Sequence, residues 1–330
     1  MPTDARYQRG INGFAGLIMK LGLVGIGAIA VKQHLPAIAG IDTVSLCAAA
    51  SRHGRVDGVP NYPNLGEMLA GSPEVDAVSL CVPPAVRTAL AREAIAAGRH
   101  VFLEKPPGRS IAEVQLLAAE AAAHGVTLFA SWHSRYAPAV ETFRTRLAET
   151  SLRAVRVTWR EDVRFWHPGQ HWIWEPGGFG VFDPGINAFS IMTHALPRPF
   201  RLTSSVLYVP ENCAQPIRAD LAFVDSADVP ITCDFDFDQP DTPTWDILAE
   251  TDAGEFRLAK GGSELFLDGT PLVDAPEREY PRLYERFAAL VAAGESDVDI
   301  TPLTHVADAF MAARFETVGP FDENVPAARR

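Results

Sequence analysis

The chain has 330 residues, 47% of them hydrophobic and 21% charged, with a formal net charge of −12. That length suits two domains, and the balance is that of a soluble globular enzyme. No Lys/Arg-rich stripe is present, which excludes nucleic acid and anionic membrane as partners, and no apolar run reaches the length of a membrane span. Cys47, Cys81, Cys213 and Cys233 form no CxxC pair and read as reduced thiols, which fits a cytoplasmic location.

Residues 1–18 carry Arg6 and Arg9 ahead of a short apolar piece, but no A-x-A cleavage site, and read as a disordered extension. From residue 19 to 138 short apolar runs alternate with helical segments. Strands are expected at 20–24, 43–50, 77–82, 100–103 and 126–130, and helices at 29–39, 85–97 and 111–124. That alternation predicts a parallel, doubly wound sheet of the Rossmann type. Past 138 the pattern changes. A helix at 139–149 and a half-exposed strand from Leu152 to Val163 precede a stretch rich in Trp, Pro and Gly. Strands at 202–209, 217–224, 229–237, 244–250, 255–259 and 264–267, separated by tight-turn signals, predict a second α/β domain with a large, mainly antiparallel open sheet over 139–301. A helix at 281–293 follows, and a last helix, 302–318, is expected to pack back on the first domain together with the rest of 302–320.

Two motifs carry chemistry in the first domain. Gly25-Ile26-Gly27-Ala28-Ile29-Ala30 lies between a strand and a helix. Gly25 makes the bend, Gly27 admits a pyrophosphate, and the amides of Ala28 and Ile29 open the helix N-terminus toward it. The second strand ends in Ser51-Arg52 with no acid at that point, so a 2′-phosphate is favoured and NADP is preferred over a still usable NAD. Pro83 stops the third strand and shapes the crevice wall. Glu104-Lys105-Pro106 ends the fourth, where a lysine can face a cofactor.

The glycine turn, the Glu-Lys-Pro tripeptide and Gly177-Gly178-Phe179-Gly180-Val181-Phe182-Asp183-Pro184-Gly185-Ile186-Asn187 together resemble the glucose–fructose oxidoreductase / inositol dehydrogenase (Gfo/Idh/MocA) family over about residues 19–320. The resemblance implies an NAD(P)-dependent dehydrogenase, a cofactor contact by Glu104, and a homodimer formed through the second-domain sheet. Many members carry a histidine where this chain has Arg87, and most carry D-x-G-x-H where it has Asp183 and Asn187. An amide is no general base. Asn187 therefore leaves open a non-catalytic, cofactor-sensing regulator, and an inositol or other polyol dehydrogenase is a third possibility.

The D-P-G-I-N version, with Trp159-Arg160-Glu161-Asp162 upstream, is similar to bacterial members that oxidise C1 of D-galactose and L-arabinose. Glu161, His167, Asp183, Asn187 and Trp245 match those members in register, which points to an active sugar 1-dehydrogenase with a small-molecule sugar as partner. Lys105 is expected to reach the same spot as Asp183 from the other domain. Either of the two can accept the proton first, with Asn187 positioning the hydroxyl. Glu161, Trp166, His167 and Trp245 are assigned to the sugar. The spacing of His167 and His171 invites a metal, but a Pro/Gly loop gives these side chains no common helical face, so none is assigned.

Overall fold

The computed structural model describes residues 18–240 and 242–325, so the extension expected over 1–18 lies, but for Ile18, outside the described residues. The chain forms two units, one of residues 1–133 and 280–300, the other of 134–279 and 301–330.

The first unit holds a six-stranded sheet of β1 (Met19–Val24), β2 (Val44–Ala50), β3 (Asn61–Tyr62), β4 (Ala77–Leu80), β5 (His100–Leu103) and β6 (Leu128–Ala130). The order is β3-β2-β1-β4-β5-β6 and every pairing is parallel. Strands covered by helices on both faces need apolar side chains on both, which explains runs such as Leu21–Val24 and Val101–Leu103. Leu21, Leu23, Val78, Leu80, Val101 and Leu103 are all buried. Helices Pro84–Ala96 and Ile111–His124 connect β4, β5 and β6. The second starts at Ser110, whose side chain accepts from the Glu113 amide, and stops at Gly125, which takes the left-handed conformation. The strand order reverses between β1 and β4, the topological switch point where open α/β sheets bind ligands.

The sequence reading missed β3 and the helix Leu65–Gly71. It also placed the carboxyl-terminal segment wrongly. The helix Glu279–Ala293 closes the first unit: Asp297 exchanges backbone hydrogen bonds with Leu128 and Ala130, and the Trp132 indole donates to the Asp299 carbonyl. The last helix, Thr301–Met311, packs instead in the second unit on helix Phe182–Ala195 and on β8 (Phe200–Pro210). It is followed by a strand, β15 (Arg314–Val318), parallel to β8.

The second unit is a nine-stranded mixed sheet. Besides β8 and β15 it contains β7 (Leu152–Arg160), β9 (Arg218–Asp225), β10 (Pro230–Asp236), β11 (Thr244–Thr251), β12 (Gly254–Ala259), β13 (Glu264–Leu267) and β14 (Thr270–Asp274), in the order β14-β13-β12-β11-β7-β10-β9-β8-β15. Only β7–β10 and β8–β15 pair in parallel. Alternation gives β7 a buried face of Val155, Val157 and Trp159 and an opposite face bearing Arg156 and Arg160. Helix Phe182–Ala195 covers the buried face. Gly185 makes that approach possible, because a Cβ there would stand 2.7 Å from the Phe235 ring.

Candidate active site

Four adjacent strands of the first unit deliver the expected cofactor residues to one edge. Gly25, Gly27, Ala28 and Ile29 follow β1, Ser51 and Arg52 follow β2, Pro83 lies just past β4, and Glu104 and Lys105 follow β5. Gly25 adopts φ 89°, and a Cβ on it would meet Val82 at 2.7 Å and the Cys81 carbonyl at 2.9 Å. A Cβ on Gly27 would meet nothing within 4 Å. Together with exposed Ala28 and Ile29, this leaves open backbone at a helix start, which fits a dinucleotide pyrophosphate. Ser51 Oγ accepts from the Gly54 amide at 3.2 Å, and Arg52 is exposed beside it.

Glu104 departs from its expected place in the cofactor set. It is 3% exposed, and its carboxylate accepts from the Tyr280 hydroxyl at 2.7 Å and from the Lys105 amide at 2.5 Å, and pairs with His34 Nε2 at 3.1 Å. Burial alone would raise its pKa, but the His34 hydrogen bond and charge, with help from His133 and Tyr280, bring it down to about 2. Glu104 therefore supports Lys105 from inside. Arg87 also gains a place here: buried, it donates to the carbonyls of Val82, Glu104 and Pro106. The role of Glu104 does not show in local sequence, because His34 and Tyr280 stand 70 and 176 residues away. Lys105 itself is half-buried and precedes a cis proline.

In the second unit Asp183 lies in the first turn of helix Phe182–Ala195, and Asn187 follows one turn later. Asp183 is buried. Glu161 follows β7 and is also buried, and one of its oxygens accepts from the Trp245 indole at 2.9 Å. His167 stands between the two acids, with Nε2 3.5 Å from Glu161 Oε1 and Nδ1 3.6 Å from Asp183 Oδ2.

A locked loop holds this ring. Asp162 caps the short helix Val163–Trp166, the His167 amide closes it on the Val163 carbonyl, and the Arg164 guanidinium bridges Asp162 and Asp238 while stacking on Phe321. Trp166 lies 5.1 Å from Trp245, ring to ring, and stays partly exposed. The geometry thus joins Glu161, His167, Asp183, Trp166 and Trp245. Trp174 is instead core, packed on Phe237 and Phe321, and His171 is exposed and faces Glu323. No three metal-binding side chains converge among the described residues.

These features define a dinucleotide-binding oxidoreductase with a carboxylate-lined polar site. Residues 19–131 match the model of the oxidoreductase family with an NAD-binding Rossmann fold, Gfo/Idh/MocA. The chain is 42% identical over 303 residues to galactose 1-dehydrogenase of Pseudomonas fluorescens, covering 92% of this chain and 98% of that one. The crystal structure of a D-galactose-1-dehydrogenase protein from Rhizobium etli is 52% identical, covers 94% of this chain and 100% of its own, and superposes with a TM-score of 0.90. A 3-ketoreductase from Actinomadura kijaniata, solved with NADP, shares the fold at 18% identity, with a TM-score of 0.77 over 92% of this chain and 100% of its own. The chain belongs to the Gfo/Idh/MocA family.

Proposed function

We propose that this enzyme oxidises C1 of D-galactose to the aldonolactone, with NADP as preferred oxidant and NAD as second, and that it accepts L-arabinose, which shares the configuration of C1 to C4. The observation that carries the reading is the row Glu161–His167–Asp183 beside Trp245. Two acids, an imidazole and an indole face suit the hydroxyls and the C–H edge of a neutral sugar. The names of the relatives at 42% and 52% identity support the same substrate.

When bound, the nicotinamide accepts the hydride that leaves C1. The chain's own residues handle the rest. The turn Gly25–Ile29 would hold the pyrophosphate, and Ser51 with Arg52 the 2′-phosphate. Asp183 takes the proton of the anomeric hydroxyl as the C=O bond of the lactone forms. Lys105 supplies positive charge to the developing alkoxide. Asn187 orients that hydroxyl, while Glu161 and His167 hold the neighbouring ones and Trp166 and Trp245 form an apolar wall. The first unit carries the cofactor and the second the sugar. A cytoplasmic homodimer formed through the nine-stranded sheet completes the proposal, and sedimentation at micromolar concentration tests the dimer.

The test of function is absorbance at 340 nm with NADP or NAD against a panel of aldoses and inositols. D-galactose is expected to give the highest kcat/KM and a lactone product. Turnover of inositols alone, or cofactor binding without turnover of any sugar, rejects the proposal.

A further inference from the structure

Beneath the Glu104-Lys105-Pro106 loop lies a buried charged relay. His34 is fully buried, with Nδ1 2.6 Å from the Tyr284 hydroxyl and Nε2 3.1 Å from Glu104 Oε1. The Tyr284 hydroxyl gives its one proton to Ser79 Oγ at 3.0 Å, so it faces His34 as an acceptor. The Glu104 carboxylate is an acceptor too. A ring with an acceptor at each nitrogen carries both protons and is an imidazolium. Burial opposes that charge, but facing Cys81 and Tyr284, with hydrogen bonds to Cys81 and Glu104, outweigh it and hold the His34 pKa well above the usual histidine value.

The far oxygen of Glu104 accepts from the Lys105 backbone amide. Tyr280, whose hydroxyl donates to Glu104, also lies ring to ring with His34 at 4.8 Å and with His133 at 5.5 Å.

We propose that His34 is a positioning residue for Lys105: its cationic ring keeps Glu104 ionised and aimed at the Lys105 amide, which fixes the point from which the lysine side chain works. A neutral residue at 34 leaves Glu104 two states, an unpaired buried carboxylate or a protonated acid, and each weakens the charge-assisted bond to the amide. The relay meets the Lys105 amide directly through Glu104, whereas His34 also ends the helical segment Ala30–His34 that follows the glycine turn, so cofactor Kd separates an effect on the lysine from one on the turn.

The inference rests on the proposed catalytic role of Lys105. The experiment compares wild-type protein, H34Q, E104Q, K105A and the H34Q/K105A double variant in kcat, KM, cofactor Kd by NADPH fluorescence, and Tm. The expected result is a fall in kcat of about tenfold or more for both H34Q and E104Q, with cofactor Kd within about threefold of wild type and no further fall when H34Q is added to K105A. Loss of kcat only in proportion to lost cofactor-binding protein overturns the proposal. So does an equal fold-loss from H34Q in the wild-type and K105A backgrounds. If H34Q fails to fold, E104Q carries the test, and wild-type kcat in folded E104Q overturns the proposal. An inactive K105A beside a fully active H34Q rejects the relay alone, whereas a fully active K105A rejects the role of Lys105 and the relay together.

Discussion

The imidazole of His167 stands with Nδ1 3.6 Å from Asp183 Oδ2, on a loop pinned through Arg164 to Asp162 and Asp238. The family's usual histidine position is Asn187, so the imidazole next to Asp183, the proposed base, comes from a different segment. H167Q is expected to lower kcat/KM for the sugar by about one to two orders of magnitude, since it removes the ring that stands between Asp183 and Glu161. Steady-state kinetics on the folded variant check this, and a loss below threefold shows that the ring only fills space.

K105A and D183N are each expected to reduce kcat by about two to four orders of magnitude, the range for a positioned acid–base group. Their double variant should lose much less than the product of the two, because residues acting on one step are non-additive. Single-turnover absorbance at 340 nm reads the chemical step directly.

Trp245→Phe keeps an aromatic ring and deletes the donor to Glu161. Leaving a buried carboxylate oxygen short of one hydrogen bond costs on the order of 1–3 kcal/mol. KM for the sugar is expected to rise about tenfold or more with kcat changed less. A pure kcat effect argues that Trp245 touches the reacting carbon instead.

Replacing Arg52 tests cofactor choice. R52A should raise KM for NADP about tenfold and leave NAD nearly unchanged, because only the 2′-phosphate loses a charge-assisted partner. Equal losses with both cofactors place the arginine on a shared part of the dinucleotide.

The His34–Glu104 pair makes a stability prediction with a definite sign. The Glu104 pKa is depressed to about 2, so its contribution is present above the ordinary carboxylate range and is lost as pH falls toward 2. The His34 pKa is raised, so its contribution is present below about 6.5 and is lost as pH climbs through the raised value. Tm should therefore fall at both ends, and E104Q should flatten both limbs. Unchanged limbs in E104Q show that other groups control the profile.

Much of the first unit was legible because a parallel sheet writes itself as short apolar runs ended by Gly and Pro, as at Val24-Gly25 and Val82-Pro83. The second sheet was legible where alternation was clean, as along β7. What escaped depends on contacts distant in sequence. Nothing local separates β15 from the end of the preceding helix, since no Gly or Pro stands between Met311 and Phe315, and pairing with β8 makes it a strand. Glu104 looked like a cofactor contact because its partners, His34 and Tyr280, stand 70 and 176 residues away. The five residues proposed to hold the sugar were all named, but the place of His167 between two acids could be seen only once β7 and helix Phe182–Ala195 stood side by side.

The phenols of Tyr280 and Tyr284 come from helix Glu279–Ala293, in the segment Tyr280–Ile300 that returns to a unit whose earlier part ends at His133. This splits the timetable of synthesis. A nascent chain paused before that helix has made every strand from β1 to β14, yet Glu104 lacks a phenolic donor and β6 lacks its pairing with Asp297. Closure of the first unit is therefore a late event in synthesis, because its Tyr280 and Asp297 contacts can be made only after β14 has been synthesised.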